Sequence, residues 1–403
     1  MSDRSPKFLL FLSLFNSILG LSILFPILAP LGRQLGLTEI QVGSLSTAYS
    51  LMQFVASPLW GRHSEKVGRK PVLLTGVLGF AVGFGIFGLI AELGLAGRLS
   101  GMVLYASLLG SRVVGGMLSS ATLPTAQAYI ADITERKDRT AGMALVGAAF
   151  GLGVVFGPGI GAALSHWGLL VPVYVSASVA LLNGLFVWRW LPEPPKRAHL
   201  DEFAPSVAVL SQVWPVLGVG FVVTLASVSM EQTVAFLFQD VLHLTAKGSA
   251  RFVGIALVGY GIAAVLAQGV FVRRVKWSPL KLILVGVPVS VIGFSGLVVA
   301  SRFGLLSGAL ALQGFGQGLV MPGISAALSL GVGDRSQGEV AGLNSASQAL
   351  GRTLGPIVGT MLYGFQPRAP YQLSVLLLLL VLSTVLVSPA LRRRVSVGHA
   401  SPA

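Results

Sequence analysis

The sequence predicts an all-α membrane protein with twelve transmembrane helices arranged as two pseudo-symmetric six-helix bundles. Three observations predict it: a composition that a water-soluble globule cannot carry, long apolar runs along the whole chain, and a glycine-proline motif that occurs once in each half. Of 403 residues, 54% are hydrophobic and only 10% charged, with a mean hydropathy of +0.81. A soluble domain carries roughly a quarter charged residues, so the solvent for this chain is a bilayer. The 51 glycines and 21 prolines agree, because small residues let membrane helices approach closely and both types are more frequent there.

A bilayer span takes about 20 apolar residues. Such runs cover 8–30, 43–60, 72–91, 101–126, 140–164 and 169–191, then 212–238, 250–271, 281–300, 304–330, 340–363 and 371–390. The polar, proline-containing stretch 192–211 separates an N-terminal bundle, 1–191, from a C-terminal one, 212–403. The first run is too long for the core of a cleaved leader, and no small-residue cleavage site follows it, so it reads as the first span.

The net charge of +14 does not point to nucleic acid, because the basic residues form short clusters between apolar runs instead of one soluble face. One alternate set of loops collects most of them, among them Arg62, Lys66, Arg69, Lys70, Arg136, Lys137, Lys196, Arg197, Arg273, Arg274, Lys276, Arg335 and the run Arg392 to Arg394. The other set holds Arg33, Arg98, Lys247, Arg251, Arg302 and Arg368. Positive loops stay inside, which places both termini and the central stretch in the cytoplasm and the protein in the inner or plasma membrane. With no cysteine and five scattered histidines, neither a thiolate site nor a histidine ligand pair is expected. No glycine-rich, lysine-bearing phosphate loop occurs. No nucleophile with a base stands at membrane depth. The sequence therefore predicts no enzyme, no cofactor and no metal, and its loops are too short for a signalling domain.

The internal repeat is clearest in the fifth span of each half, where Gly153, Gly157, Pro158 and Gly161 match Gly351, Gly355, Pro356 and Gly359 in spacing. A weaker match pairs the loop Gly61 to Pro71 with Gly269 to Pro279. Repeated halves commonly frame a midplane binding site. Glycines at this spacing make a close-packing helix face, and a Gly-Pro step predicts a break or bend.

Charges inside apolar spans are rare and usually functional. Arg112 falls in the middle of span 4, Glu231 inside span 7 toward its outer end, and Arg352 one turn before Gly355-Pro356 in span 11. A buried carboxylate such as Glu231 changes protonation as its access to water or to a cation changes. Arg352 is placed either to pair with Glu231 or to bind anionic groups. Polar side chains in spans 1, 2, 7, 10 and 11, namely Asn16, Gln53, Gln232, Gln313, Gln317, Asn344 and Gln348, are natural cavity lining. Phe15, Tyr49, Phe236 and Tyr260 could add stacking or cation–π contacts. Taken singly, each also fits ordinary helix packing.

The loop Gly61-Arg62-His63-Ser64-Glu65-Lys66-Val67-Gly68-Arg69-Lys70-Pro71 resembles the signature between spans 2 and 3 of the major facilitator superfamily, with Glu65 where that family usually has Asp. Arg112-Val113-Val114-Gly115-Gly116, continuing through Pro124 to Ala128-Tyr129-Ile130-Ala131-Asp132-Ile133-Thr134, resembles the span-4 signature of its drug:proton antiporters. Gly147, Gly151, Gly153, Gly157, Pro158, Gly159 and Gly161 resemble the antiporter motif of span 5, and Ala341 to Ser345 leading to Gly355-Pro356 looks like span 11 of the same group. The resemblance covers nearly the whole chain and is closest to bacterial multidrug, quinolone and tetracycline efflux pumps.

It implies the major facilitator fold and alternating access, with proton-coupled efflux of small amphipathic cationic or zwitterionic drugs. A specific metabolite exporter or a lipid or lysolipid flippase is the alternative on the same fold. The implied partners are a small-molecule substrate, protons and the bilayer, with the chain acting as a monomer. The resemblance assigns proton coupling to Glu231 and Arg112, with Asp132 the next acid and itself placed in a gate or ion-pair network. It assigns a cytoplasmic gate loop to Gly61, Glu65, Gly68, Arg69 and Lys70, and a family position to Gln53. The second acid that such pumps carry in span 10 is missing, and Gly318 stands about where it would be.

Overall fold

The computed structural model describes residues 4–134, 139–195, 207–275, 277–332 and 336–387. Several residues of the expected basic loops lie outside the described residues: Arg136, Lys137, Lys196, Arg197, Lys276, Arg335 and Arg392 to Arg394. So does most of the central stretch. Among the described residues every regular element is helical. In chain order the first are α1 (Arg4–Ile23), α2 (Leu28–Gln34), α3 (Glu39–Val67), α4 (Arg69–Leu95), α5 (Gly101–Ser119), α6 (Thr122–Ile133), α7 (Arg139–Leu164) and α8 (Val171–Trp190). There follow α9 (Val207–Val241), α10 (Ala246–Leu266), a π-helical turn (Ala267–Phe271), α11 (Val272–Val275), α12 (Pro279–Val299), α13 (Phe303–Leu330), α14 (Gln337–Phe365) and α15 (Ala369–Val387).

Among the described residues ten stretches are long and apolar enough to cross a bilayer, and each overlaps an expected span. The expected spans 43–60 and 340–363 lie in α3 and α14, which at 29 residues each are long enough but fall outside that apolar set. The reason is local: α3 carries Gln41, Gln53 and a charged C-terminal turn, and α14 carries Asn344, Gln348 and Arg352. The expected span 101–126 is two helices, α5 and α6, joined by a turn at Ser120 and Ala121.

The chain divides into two compact units. The first comprises Met1–His199 and Leu244–Ile255, the second Leu200–His243 and Ala256–Ala403. Within the first, α1 packs along α7, and α4 lies between α5 and α8. Its buried core is built from Leu10, Leu14, Leu73, Val77, Tyr129 and Val187. Within the second, α9 packs along α14, and α12 packs on α13 and α15.

Local signals explain the helix starts. Thr38 and Gln41 form a reciprocal capping box at the start of α3, which satisfies two otherwise orphaned N–H groups. Ser278 caps α12, its hydroxyl accepting from the Lys281 N–H. The expected break at Gly-Pro does not occur: α7 runs as continuous α-helix through Pro158, and α14 through Pro356. Proline inside a membrane helix removes one backbone hydrogen bond, and packing against a neighbour holds the remaining turns in place.

Candidate functional site

The signature loop of the first unit is a single-residue joint. α3 ends at Val67 and α4 begins at Arg69, with Gly68 between them at φ +116°, a backbone conformation that favours glycine. A Cβ on Gly68 would also stand 2.9 Å from a carboxylate oxygen of Glu193. That carboxylate closes the start of α4, accepting hydrogen bonds from the backbone N–H groups of Arg69 and Lys70. An acid at a helix N-terminus is favourably placed against both orphan donors and the helix dipole.

The Arg69 side chain, 6% exposed, turns inward. Its Nε donates to Asp132 Oδ2 at 2.9 Å and its guanidinium to Ser64 Oγ at 2.6 Å. Glu65, a member of the expected gate loop, lies 3.8 Å from Arg69 and is half exposed. The closer ion pair thus runs to Asp132 at the end of α6, and Tyr129 one turn earlier donates its hydroxyl to the Pro192 carbonyl. Asp132 therefore belongs to the network around this loop. Glu193 is the member that sequence reasoning missed: nothing but an acid after a span marks it, and its role depends on a contact over 120 residues away in sequence.

Arg112 is buried in α5 at 4% exposure. Its guanidinium carbon lies 4.4 Å from the ring centroid of Tyr49, 5.3 Å from Phe87 and 5.6 Å from Phe84, an aromatic cage that stabilises a cation through the ring faces. Nε of Arg112 has no hydrogen-bond partner among the described residues. The Tyr49 hydroxyl bonds Ser119 Oγ at 2.7 Å.

Gly153, Gly157 and Gly161 form one face of α7 laid directly on α1. Cβ atoms there would stand 2.9 Å from Ile18, 1.8 Å from Ser22 and 2.6 Å from the Ile23 carbonyl. Ser22 donates its hydroxyl to the Gly153 carbonyl at 2.7 Å. Gly351, Gly355 and Gly359 repeat this seam between α14 and α9, against Thr224 at 2.9 Å, Val228 at 2.8 Å and Ser229 at 2.4 Å.

The second unit gathers most of its expected polar residues beside that seam. Glu231 on α9 is half-buried and Arg352 on α14 is exposed. The two lie within electrostatic reach of each other, as does Tyr260 of Glu231. Tyr260 donates to Gln317 Oε1. Gln313, 1% exposed, donates through Nε2 to Ser227 Oγ at 3.1 Å, one turn before Glu231 on α9. Gln348 donates to Asn344 Oδ1 at 3.2 Å along α14.

Other expected lining residues are buried or half-buried in their helices. Phe236 is fully buried and tilted against Tyr363, with ring centroids 5.4 Å apart, and Gln232 is buried at 9% exposure. In the first unit Asn16 is buried at 3% exposure, and Gln53 is half-buried on α3. Gly318 leaves no room for a carboxylate, since a Cβ there would meet the Ala264 carbonyl at 2.6 Å.

Two repeated helical halves with paired glycine seams agree with the family comparison. Residues 10–287 and 246–402 match the Major Facilitator Superfamily. The chain belongs to this superfamily. As a superfamily member it is a membrane transporter and not an enzyme. It is 30% identical over 360 residues to tetracycline resistance protein, class C, of Escherichia coli, covering 85% of this chain and 86% of that one. To multidrug resistance protein 2 of Bacillus subtilis it is 26% identical over 390 residues, covering 92% of each. A solved bacterial homolog of the human lysosomal transporter Spinster, inward-facing and unoccupied, shares the fold with a TM-score of 0.77 at 13% identity, covering 100% of both chains.

Proposed function

We propose that this superfamily member is a proton-coupled exporter of small amphipathic drugs, working by alternating access between an N-terminal half, 1–191, and a C-terminal half, 212–403. The observation that carries the reading is the placement of Glu231, a carboxylate in the interior of α9 with Arg352 and Tyr260 within electrostatic reach. A carboxylate so placed takes either a proton or a substrate cation, so each proton that enters displaces the substrate. Arg112, caged by aromatic rings, holds a fixed positive charge in the other half and biases that exchange. One charge moving down 100 mV releases about 2.3 kcal/mol, and the pH gradient adds to it. The drug-resistance names of the relatives support the drug reading. We place the chain as a monomer in the inner or plasma membrane, both termini cytoplasmic, with the Arg69–Asp132–Glu193 network as its inner gate.

The test is dye efflux from energised cells or everted vesicles, with and without a protonophore, comparing wild type with Glu231→Gln and Arg112→Ala. Loss of efflux, on the order of 100-fold, both in Glu231→Gln and with the protonophore is the expected result for an acid essential to coupling. Efflux that survives Glu231→Gln moves coupling to another acid. A wild type that exports no dye under any gradient overturns the drug reading in favour of a specific metabolite or lipid substrate.

A further inference from the structure

The chemistry of the substrate is legible in what the second unit has and the first lacks. The two glycine seams superpose contact for contact: Gly153, Gly157 and Gly161 meet Ile18, Ser22 and Ile23, while Gly351, Gly355 and Gly359 meet Thr224, Val228 and Ser229. Carried along both helices, this register sets Arg352 against Val154, Gln348 against Phe150 and Asn344 against Val146. Glu231 falls against Phe25, which lies beyond the end of α1. The polar stripe Asn344, Gln348 and Arg352, repeating every four residues along α14, and the carboxylate beside it are therefore additions to a seam that packs without them.

These charges are not a closed ion pair. No oxygen of Glu231 lies within 4.0 Å of the Arg352 guanidinium, although each senses the other electrostatically. The seam shows why: α9 and α14 run in the same direction, and Gly351 lies at the level of Leu225, six residues or roughly 9 Å of helical rise before Glu231. One turn before Glu231 on α9, Ser227 anchors Gln313 through its Nε2, and Gln313 Oε1, buried, has no hydrogen-bond partner among the described residues. An exposed arginine and a half-buried carboxylate thus stand beside one seam without closing on each other. An arginine head group at membrane depth needs water or an anion to hold it there, and its planar fork matches a carboxylate.

We propose that Arg352 forms an anion subsite that makes this transporter select amphiphiles bearing a carboxylate or equivalent acid together with an amine. The acid docks on Arg352. The ammonium docks on Glu231. This rests on the exporter reading for its transport consequence but not for the binding itself.

The probes are a xanthene dye with a free carboxylate and its methyl ester, which share one cationic ring system and differ only at the acid. Energised everted vesicles should accumulate the acid form about 10-fold better than the ester, the discrimination of one charge-assisted, bidentate contact. Arg352→Ala should remove that preference by lowering acid transport alone, and Arg352→Lys should keep part of it. Equal loss of both dyes in Arg352→Ala, or wild-type transport of the ester as good as that of the acid, overturns the subsite. Binding of both dyes to the purified protein by fluorescence anisotropy separates the two readings. If the protein prefers the acid through Arg352 but exports neither dye under a gradient, the exporter reading fails and the subsite stands. If it binds both equally, the subsite fails whatever the vesicles do.

Discussion

The halves of this protein are built on one plan and charged on two. In each, a three-glycine face on one helix meets another helix at distances that exclude any side chain. Each half also has a tyrosine whose backbone carbonyl lies against a glycine, Tyr49 on Gly116 and Tyr260 on Gly314, and whose hydroxyl reaches a polar residue of the same helix, Ser119 or Gln317. The tyrosines then face opposite charges: Tyr49 lies under the Arg112 guanidinium, whereas Tyr260 lies within reach of the Glu231 carboxylate. Repetition preserved the packing surfaces, which tolerate little change, and left the polar positions free to diverge.

The most damaging way to test the equivalence of the seams is to overfill them. Gly157→Leu and Gly355→Leu should each cost about 3 kcal/mol, the upper range for overpacking a closed interface, read as thermal unfolding of the solubilised protein. A large cost in only one half would show that the seams are not equivalent. Gly147→Ala is the control. A Cβ there meets nothing within 4 Å, so it should be neutral or stabilise by a few tenths up to about 1 kcal/mol through helix propensity.

A smaller effect should separate the two arginines. Arg112→Ala removes a caged cation and should lower stability by about 1–2 kcal/mol. Arg352→Ala removes an exposed side chain and should leave the unfolding temperature unchanged while altering transport. If Arg352→Ala destabilises as much as Arg112→Ala, Arg352 is a structural residue and the contrast between the halves collapses.

The smallest expected effects come from the tyrosine hydroxyls. Tyr49→Phe and Tyr260→Phe should each cost about 1 kcal/mol, the net worth of one buried hydrogen bond. Beyond that shared loss, only Tyr260→Phe should shift the apparent affinity for substrate, measured as the dye concentration that half-saturates efflux, because only Tyr260 lies beside Glu231.

Much of this is legible in the sequence alone. Span positions follow from runs of apolar residues, and the seams follow from glycines at four-residue spacing, because both are periodic and local. Gln313, Gln317 and Tyr260 stood out as polar groups in apolar helices, but which of them meet depends on how α9, α10 and α13 pack. Glu193 was invisible for the same reason, being an ordinary acid until α4 is set beside the end of α8. The Gly-Pro step misled as a break, since proline's missing N–H is a local loss that the seam around it outweighs.

The sequence by itself determined the solvent, the helical class and the duplication, because each depends on composition or on spacing along one chain. Only the tertiary structure decided that Asp132 serves Arg69, that Arg112 sits among rings, and that Arg352 and Glu231 stand apart beside a shared seam. A charge in a bilayer is governed by what is brought within a few ångströms of it, and that is set by helix packing between residues far apart in the chain.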